Sequence, residues 1–387
     1  MKAIPHYIPT LAIAITAGLV GFGMPSWLSV ASPDFALKSD VRVNYAPAYM
    51  LRSGQRKLIY DFAAIRRTEA QIVAPDDNAQ PFLHPAYEAA VFIPFSFLPY
   101  REAYLAWIAI NFVVLIWIYI LLRPYIEGLF MHGLRWIPLG LLIGFLPIAI
   151  TILEGQDSLL LLLVAILSYR HLETNERRAG MLLSVGMFRF QVLLPIVALF
   201  LVWRRWKFLT GWFVGSAVCG LLSALLTGLQ AQIQYFKLLQ ATSRLSLWLF
   251  LRRMPNLRAL FLAWGLGVSA TVIVSICLFL LVAYLGVKRS GEEQFLLAVS
   301  LSAIIPWYLF MHDVSILALP LFLALARAAG RREWLQAAQF MAVLVGFSGF
   351  WFAQHSFYLG VLLTLFFLAK QGIDLIRPPV CEPQAVT

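Results

Sequence analysis

The strongest constraint on this chain is the run from Ala103 to Leu122, twenty residues with no charge and one amide, Asn111. At about 1.5 Å per residue, such a run as a helix is about as long as a bilayer's hydrocarbon core is thick, and in lipid only a helix satisfies all of its own backbone groups. Comparable or shorter runs recur near 8–30, 102–122, 134–153, 158–169, 179–188, 192–203, 208–229, 259–287, 294–310, 314–327, 334–353 and 356–370. Counting the short ones as broken or tilted, about twelve transmembrane or half-membrane helices are expected. Composition agrees: 61% of the 387 residues are apolar and 13% charged, against about 25% charged in soluble domains. An all-α polytopic membrane protein is expected, with residues 1–372 as one integral domain and 373–387 as a cytoplasmic tail.

The net charge of +11 does not point to nucleic acid, because Lys and Arg fall mostly in short breaks between apolar runs, where they set orientation. With the N-terminus cytoplasmic, Arg123 and Arg135, Arg170 with Arg177 and Arg178, Arg204 with Arg205 and Lys207, Lys288 with Arg289, Arg327 with Arg331 and Arg332, and Lys370 with Arg377 all fall inside. This requires the two half-length runs around Phe188–Gln191 to dip in and return as a pair. The first run ends in Ser29-Val30-Ala31, similar to a signal-peptidase site, but it is long for a cleaved segment and is read as a retained span. Cys219 and Cys277 sit in apolar runs and Cys381 in the tail, which makes neither a disulfide framework nor metal-ligand spacing.

Two polar stretches, 31–101 and 230–258, then lie outside as extracytoplasmic loops. Residues 40–53 (Val41, Tyr45, Tyr49, Leu51) and 58–73 (Leu58, Phe62, Ile65, Ile72) have helical apolar spacing and are expected as amphipathic helices at the interface. Val91–Leu98, among four prolines, is too short to span and reads as a re-entrant or surface segment. No internal repeat of the kind many transporters carry is visible.

In this topology the ionisable groups collect on the outer face: Asp34, Asp40, His84 and Glu88; Glu154, Gln156 and Asp157; Arg189 and Gln191; Arg252, Arg253, Asn256 and Arg258; His312 and Asp313. Carboxylates that can take a proton from a hydroxyl, beside arginines that can hold an anionic leaving group, are equipment for glycosyl transfer from a lipid phosphate. Asp-x-Asp does not occur and no Gly-rich phosphate loop precedes a helix, so a lipid-linked donor is expected over a nucleotide sugar. Each residue also has a plainer reading. Asp40 could be the N-cap of its helix, with Asp34 the rival base. His84 and Glu88 share i, i+4 spacing, but two ligands are too few for a metal. Glu154 and Asp157, or His312 and Asp313, could cap turns, and Arg189 could pair with an outer acid. Arg252, Arg253 and Arg258 could only meet lipid headgroups.

Asp40-Val41-Arg42-Val43-Asn44-Tyr45-Ala46-Pro47-Ala48-Tyr49, followed by Gly54 and Leu58-Ile59-Tyr60-Asp61, resembles the first-loop signature of glycosyltransferase family 87, relatives of polyprenyl-phosphate-mannose-dependent mannosyltransferases. His84-Pro85-Ala86-Tyr87-Glu88 with Pro94 and Leu98-Pro99-Tyr100, Gly155-Gln156-Asp157, and Phe188-Arg189-Phe190-Gln191 with Trp203-Arg204-Arg205-Trp206 continue the resemblance. Val41 stands where Phe is usual and Arg189 where Lys is usual, which keeps the charge but changes its reach. The resemblance implies a GT-C-type fold and inverting transfer of a hexose, foremost mannose, from a polyprenyl monophosphate to a lipid or glycan acceptor at the outer face of a plasma membrane. It implies Asp40 as general base, no cofactor and no required metal. Arg189, His312, Asp313, His84, Glu88, Gln156, Arg258 and Tyr45 are the candidate substrate contacts. The rivals are a transporter or lipid flippase, which moves substrate without making a glycosidic bond, and a membrane scaffold for a cell-envelope assembly, which would leave Asp40 dispensable.

Overall fold

A computed structural model describes residues 7–74, 79–129, 134–244, 254–348 and 357–376; Arg252, Arg253, Arg377 and Cys381 lie outside the described residues. Among these there is no strand. Seven helical stretches among the described residues are long and apolar enough to cross a membrane: Ile8–Ser29, Tyr100–Tyr125, Glu176–Val202, Trp206–Thr227, Gly267–Leu285, Met311–Gly330 and Tyr358–Ile376. The shorter apolar helices Ser158–His171 and Trp334–Phe347 accompany them. The chain is a multi-pass membrane protein.

Several runs that read as single spans are broken, for local reasons. The run 134–153 divides into Ile137–Gly144 and Leu146–Leu153, because Phe145 is extended and Pro147 in the following turn has no N–H to continue the ladder. The run 259–287 divides into Leu257–Ala263 and Gly267–Leu285 at Gly265 and Gly267, both with φ of +72°. Such angles are cheap only for glycine.

The half-length pair does fold back. Helix α1 (Glu176–Ser184) leads through a 3-10 turn, 185–189, into α2 (Phe190–Val202), and α3 (Trp206–Thr227) follows. Arg205, just past α2, bonds Glu176 at the start of α1 across 2.8 Å. A straight helix over 176–202 would hold those ends about 40 Å apart, so this stretch is a hairpin and not one crossing. Glycines let α1 and α3 pack with backbones in contact. A Cβ on Gly180 would strike the Phe208 carbonyl, and one on Gly215 the Ser184 hydroxyl.

Charge is segregated along the bundle. Helix Ser158–His171 touches Asp313 through Ser158 at one end and Glu292 through Tyr169 at the other. Arg170, Arg205, Arg289 and Lys370 gather at the Glu292 end, on the Leu121 carbonyl, Glu176, the Leu375 carbonyl and Asp374 respectively. The acid, amide and histidine cluster described below lies at the other end.

One expectation for the loops needs correction. The segment 41–52 forms a helix, but Val41, Arg42, Asn44 through Ala48 and Met50 are all buried, so it is packed into the protein and is not a surface amphipathic helix. Its Arg42 is paired with buried Glu69 of the following helix, Phe62–Ile72, through Nε at 3.1 Å and Nη2 at 3.0 Å. The stretch 230–258 opens as a helix, Leu229–Arg244, whose Ala231 and Tyr235 pack with Met50, Tyr60 and Phe82 beneath the first loop. Val91–Leu98 does not span: a short helix ends at Val91, and Ile93–Phe97 is a 3-10 turn.

Candidate active site

Asp40 occupies the N-cap position of helix Val41–Arg52, yet its carboxylate makes no capping bond. Its backbone N–H donates to the Glu154 carbonyl at 2.9 Å, and its Oδ2 accepts from Gln156 Nε2 at 2.6 Å. The first loop is thus fastened to the turn 154–157. Gly155, with φ of +67°, makes that approach possible, because a Cβ there would run into the Val41 side chain. From below, Trp107 Nε1 donates to the Gly155 carbonyl at 2.9 Å and Asn111 to the Gln156 carbonyl at 3.3 Å.

The other end of the Gln156 amide accepts from Arg189 Nη2 at 2.5 Å. Arg189 is buried at the hairpin turn and pairs with Asp157 Oδ1 through Nη2 at 2.6 Å and Nε at 3.2 Å, with Asp313 Oδ1 3.5 Å from Nε. Its Nη1 makes no hydrogen bond among the described residues. Asp313 also accepts from the Phe310 N–H at 3.0 Å and from Ser158 at 3.3 Å, so it caps its own turn and faces Arg189 at once. His312 Nδ1 lies 3.3 Å from Glu154 Oε2 and its Nε2 3.7 Å from Asp313 Oδ1, which closes a ring of polar groups back to the Asp40 anchor.

A second group adjoins the first. His84 Nδ1 is 2.9 Å from Glu88 Oε2, and the Asp157 carboxyl group and the Asn44 amide adjoin Glu88. Asn44 lies one helical turn after Asp40 and was missed in the sequence; its i, i+4 spacing was the available signal. Burial and the neighbouring Asp157 charge hold the Glu88 carboxyl well above the usual range. Burial works against the Asp157 carboxylate, but the Arg189 guanidinium together with the neighbouring Glu88 and His84 outweighs it and holds Asp157 below its usual value. Glu88 is therefore the protonated partner, and its proton fills the space between two carboxyl groups that otherwise have oxygens without partners. Burial and Arg189 lower His84 to about 4, so it is a neutral imidazole. Burial, then the Glu154 charge, raise Asp40 to about 6.

Two sets of donors have the spacing for a cation: Asp40, Glu154 and His312, and His84, Glu88 and Asp157, each within 4.8 Å of one another. The arrangement offers a carboxylate that titrates near neutrality and, across one amide, a guanidinium with a free donor. That combination can take a proton from a hydroxyl and stabilise an anion leaving the far side.

Three candidates stand apart. Asp34 is exposed on a short helix, Pro33–Lys38, and has no contact with the cluster. Tyr45 turns its hydroxyl to the Leu98 carbonyl at 2.7 Å and packs edge-on to Tyr100. Arg258 lies over the Trp307 ring at 4.2 Å and bonds the Trp307 carbonyl.

The model of glycosyltransferase family 87 matches residues 82–311, more than half of the chain. This chain belongs to glycosyltransferase family 87. The matched stretch of this glycosyltransferase carries His84, Glu88, Glu154, Gln156, Asp157 and Arg189 and stops one residue short of His312. Asp40 precedes the match, and its bonds with the Glu154 carbonyl and the Gln156 amide bring it to the matched residues. No curated protein and no solved structure matches the chain. Membership in a glycosyltransferase family displaces the transporter, flippase and scaffold readings.

Proposed function

We propose that this glycosyltransferase moves a hexose, foremost mannose, from a polyprenyl monophosphate to a lipid or glycan acceptor at the extracytoplasmic face of a plasma membrane, with inversion and on a GT-C-type scaffold. The observation that carries this reading is the single amide of Gln156, bonded to Asp40 at 2.6 Å and to Arg189 at 2.5 Å. It sets a base and a cation on opposite ends of one rigid group. Asp40 takes the acceptor hydroxyl's proton as that oxygen attacks the anomeric carbon. The bond from that carbon to the phosphate oxygen breaks, and the polyprenyl phosphate departs with one more negative charge.

Arg189 already faces Asp157 and Asp313, so its contribution to the phosphate runs through Nη1, with His312 beside it. Asp157 and Asp313 then act as positioning residues for the guanidinium. The outward orientation draws support from the basic residues at the opposite end of the bundle, the end that short cytoplasmic loops favour.

The test is transfer in proteoliposomes offered polyprenyl-phosphate mannose, the glucose analogue, or nucleotide sugars, each with mixed envelope-lipid acceptors. A product of inverted configuration should form from a polyprenyl-phosphate hexose alone. Product from a nucleotide sugar in the absence of lipid donor contradicts it.

A further inference from the structure

The helix Leu229–Arg244 has three faces, and one of them is both apolar and exposed. Ala231 and Tyr235 are buried on the first, where the Tyr235 ring lies 4.9 Å from that of Tyr60 and its hydroxyl donates to the Leu83 carbonyl at 3.4 Å. Gln230 and Lys237 are exposed on a second, polar face. Leu229, Ile233 and Phe236, at i, i+4 and i+7, form the third and are 73%, 50% and 64% exposed. Gln240, the next position on that stripe, is polar, so the apolar face covers the first two turns of the helix.

Those two turns sit at the end of a span. Helix α3 ends at Thr227, and Gly228, with φ of +88°, turns the chain. Gln232 then donates back to the Ser223 carbonyl at 3.2 Å and to the Thr227 hydroxyl at 2.8 Å. In one continuous helix residues 223 and 232 would lie about 13 Å apart along the axis, so the second helix crosses the end of α3 at an angle. This is the candidate-site end of the bundle, because the Ser223 hydroxyl accepts from the Tyr87 N–H, next to Glu88, at 3.2 Å. Leu221, Leu222 and Leu225 of α3 are exposed and, on a helix that spans, face acyl chains. Leu229 follows Leu225 by four residues, so the exposed stripe adjoins a surface that lipid already covers.

We infer that the helix Leu229–Arg244 docks on the bilayer at the candidate-site end, with Leu229, Ile233 and Phe236 among the acyl chains and Lys237 at the level of the lipid phosphates. A helix with one packed side, one apolar side and one polar side fits a boundary between protein, hydrocarbon and water. The segment has no Asp or Glu to repel anionic headgroups. Lys237, exposed beside Phe236, can reach them while its stem stays on apolar ground. Docking has a consequence inside the protein as well. The packed face meets Met50, in the helix that Asp40 precedes, and Tyr60, so a helix held by the membrane also holds the first loop. The inference stands apart from the proposed reaction, and its test involves no sugar transfer.

Spin labelling of the full-length protein in vesicles of phosphatidylethanolamine and phosphatidylglycerol tests it. Single labelling sites come from Ile233→Cys, Phe236→Cys, Gln230→Cys or Lys237→Cys in a background of Cys219→Ser, Cys277→Ser and Cys381→Ser, each protein checked for an unchanged melting temperature. Nitroxides at positions 233 and 236 should show a several-fold higher ratio of collisions with oxygen, which concentrates in hydrocarbon, to collisions with a water-soluble nickel chelate than those at 230 and 237. Ready access of the chelate at 233 and 236 would place the stripe in water, and shielding from both reagents would show it covered by protein; either result overturns the inference. Phe236→Trp in the otherwise native chain is a second route that leaves the cysteines in place. Its added fluorescence should be quenched by lipids brominated along the acyl chain, and no quenching beyond that of wild type would overturn the inference as well.

Discussion

Gln156 donates to Asp40 from one end of its amide and accepts from Arg189 at the other, so a single side chain fixes the distance between the proposed base and the proposed phosphate contact. The amide orientation is the only one that satisfies both neighbours, since a carboxylate needs a donor and a guanidinium an acceptor. Gln156→Glu keeps the shape but sets a carboxylate against Asp40. Transfer at neutral pH should fall by about 10²-fold, with little change in melting temperature, because a misplaced base costs on that order. Steady-state rates beside thermal unfolding check this; a variant with wild-type kcat contradicts it.

The pH profile follows from Asp40. Burial and the Glu154 charge raise its pKa to about 6, and the base form predominates only above that value. The rate should therefore decline as pH falls through about 6. Glu154→Gln removes the raising charge, so the acid limb should move to lower pH while the plateau is kept. A limb that stays in place, or moves up, contradicts the assignment of that limb to Asp40.

Glu88 and Asp157 make opposite demands on substitution. Glu88 is read as protonated, so Glu88→Gln keeps a donor toward Asp157 and should leave folding and most activity intact. Asp157→Asn strips the main partner from buried Arg189 and should destabilise the protein by about 3–5 kcal/mol, the range for breaking a buried ion pair. Differential scanning fluorimetry on the two purified variants reads this contrast. Equal losses would contradict the protonation pattern.

Chelation separates the two roles a charged cluster can have. Arg189 sits 2.6 Å from Asp157 and supplies a fixed positive charge there, and the protonated Glu88 is a poor metal ligand. Transfer should survive dialysis against EDTA with less than a twofold change. Loss of activity that returns with a divalent cation would instead assign a metal to one of the two carboxylate–histidine sets.

Much of this was legible in the chain because bilayer physics leaves few choices. Uncharged runs of span length gave the helices, and the alternation of basic breaks required the hairpin at Phe188–Gln191 that the Arg205–Glu176 pair confirms. Breaks inside runs were not legible, since a period of apolar residues is blind to an extended Phe145 or to the positive φ of Gly265. The convergence of Asp40, Gln156, Arg189 and His312 could be suspected from their common face, but the contacts of Asp40 with Gln156 and of His312 with Glu154 cross more than a hundred residues and depend on packing. Tyr45 illustrates the limit: an aromatic in the right motif, it faces the Leu98 carbonyl because the helix places it on the side away from Asp40 and Asn44.

In the proposed reaction Asp40 removes the acceptor's proton. Its raised pKa means that its ionised form is costly in the folded protein above the ordinary carboxylate range, so Asp40→Asn should be folded at neutral pH and at least as stable as wild type. The decisive measurement is single-turnover sugar transfer from a polyprenyl-phosphate hexose by wild type, Asp40→Asn and Asp34→Asn in matched proteoliposomes, with donor binding measured alongside. Asp40→Asn should bind donor normally and lose transfer by about 10³-fold or more, in line with general-base contributions of about 10²–10⁴, while Asp34→Asn should be unaffected. Transfer by Asp40→Asn within tenfold of wild type would contradict it.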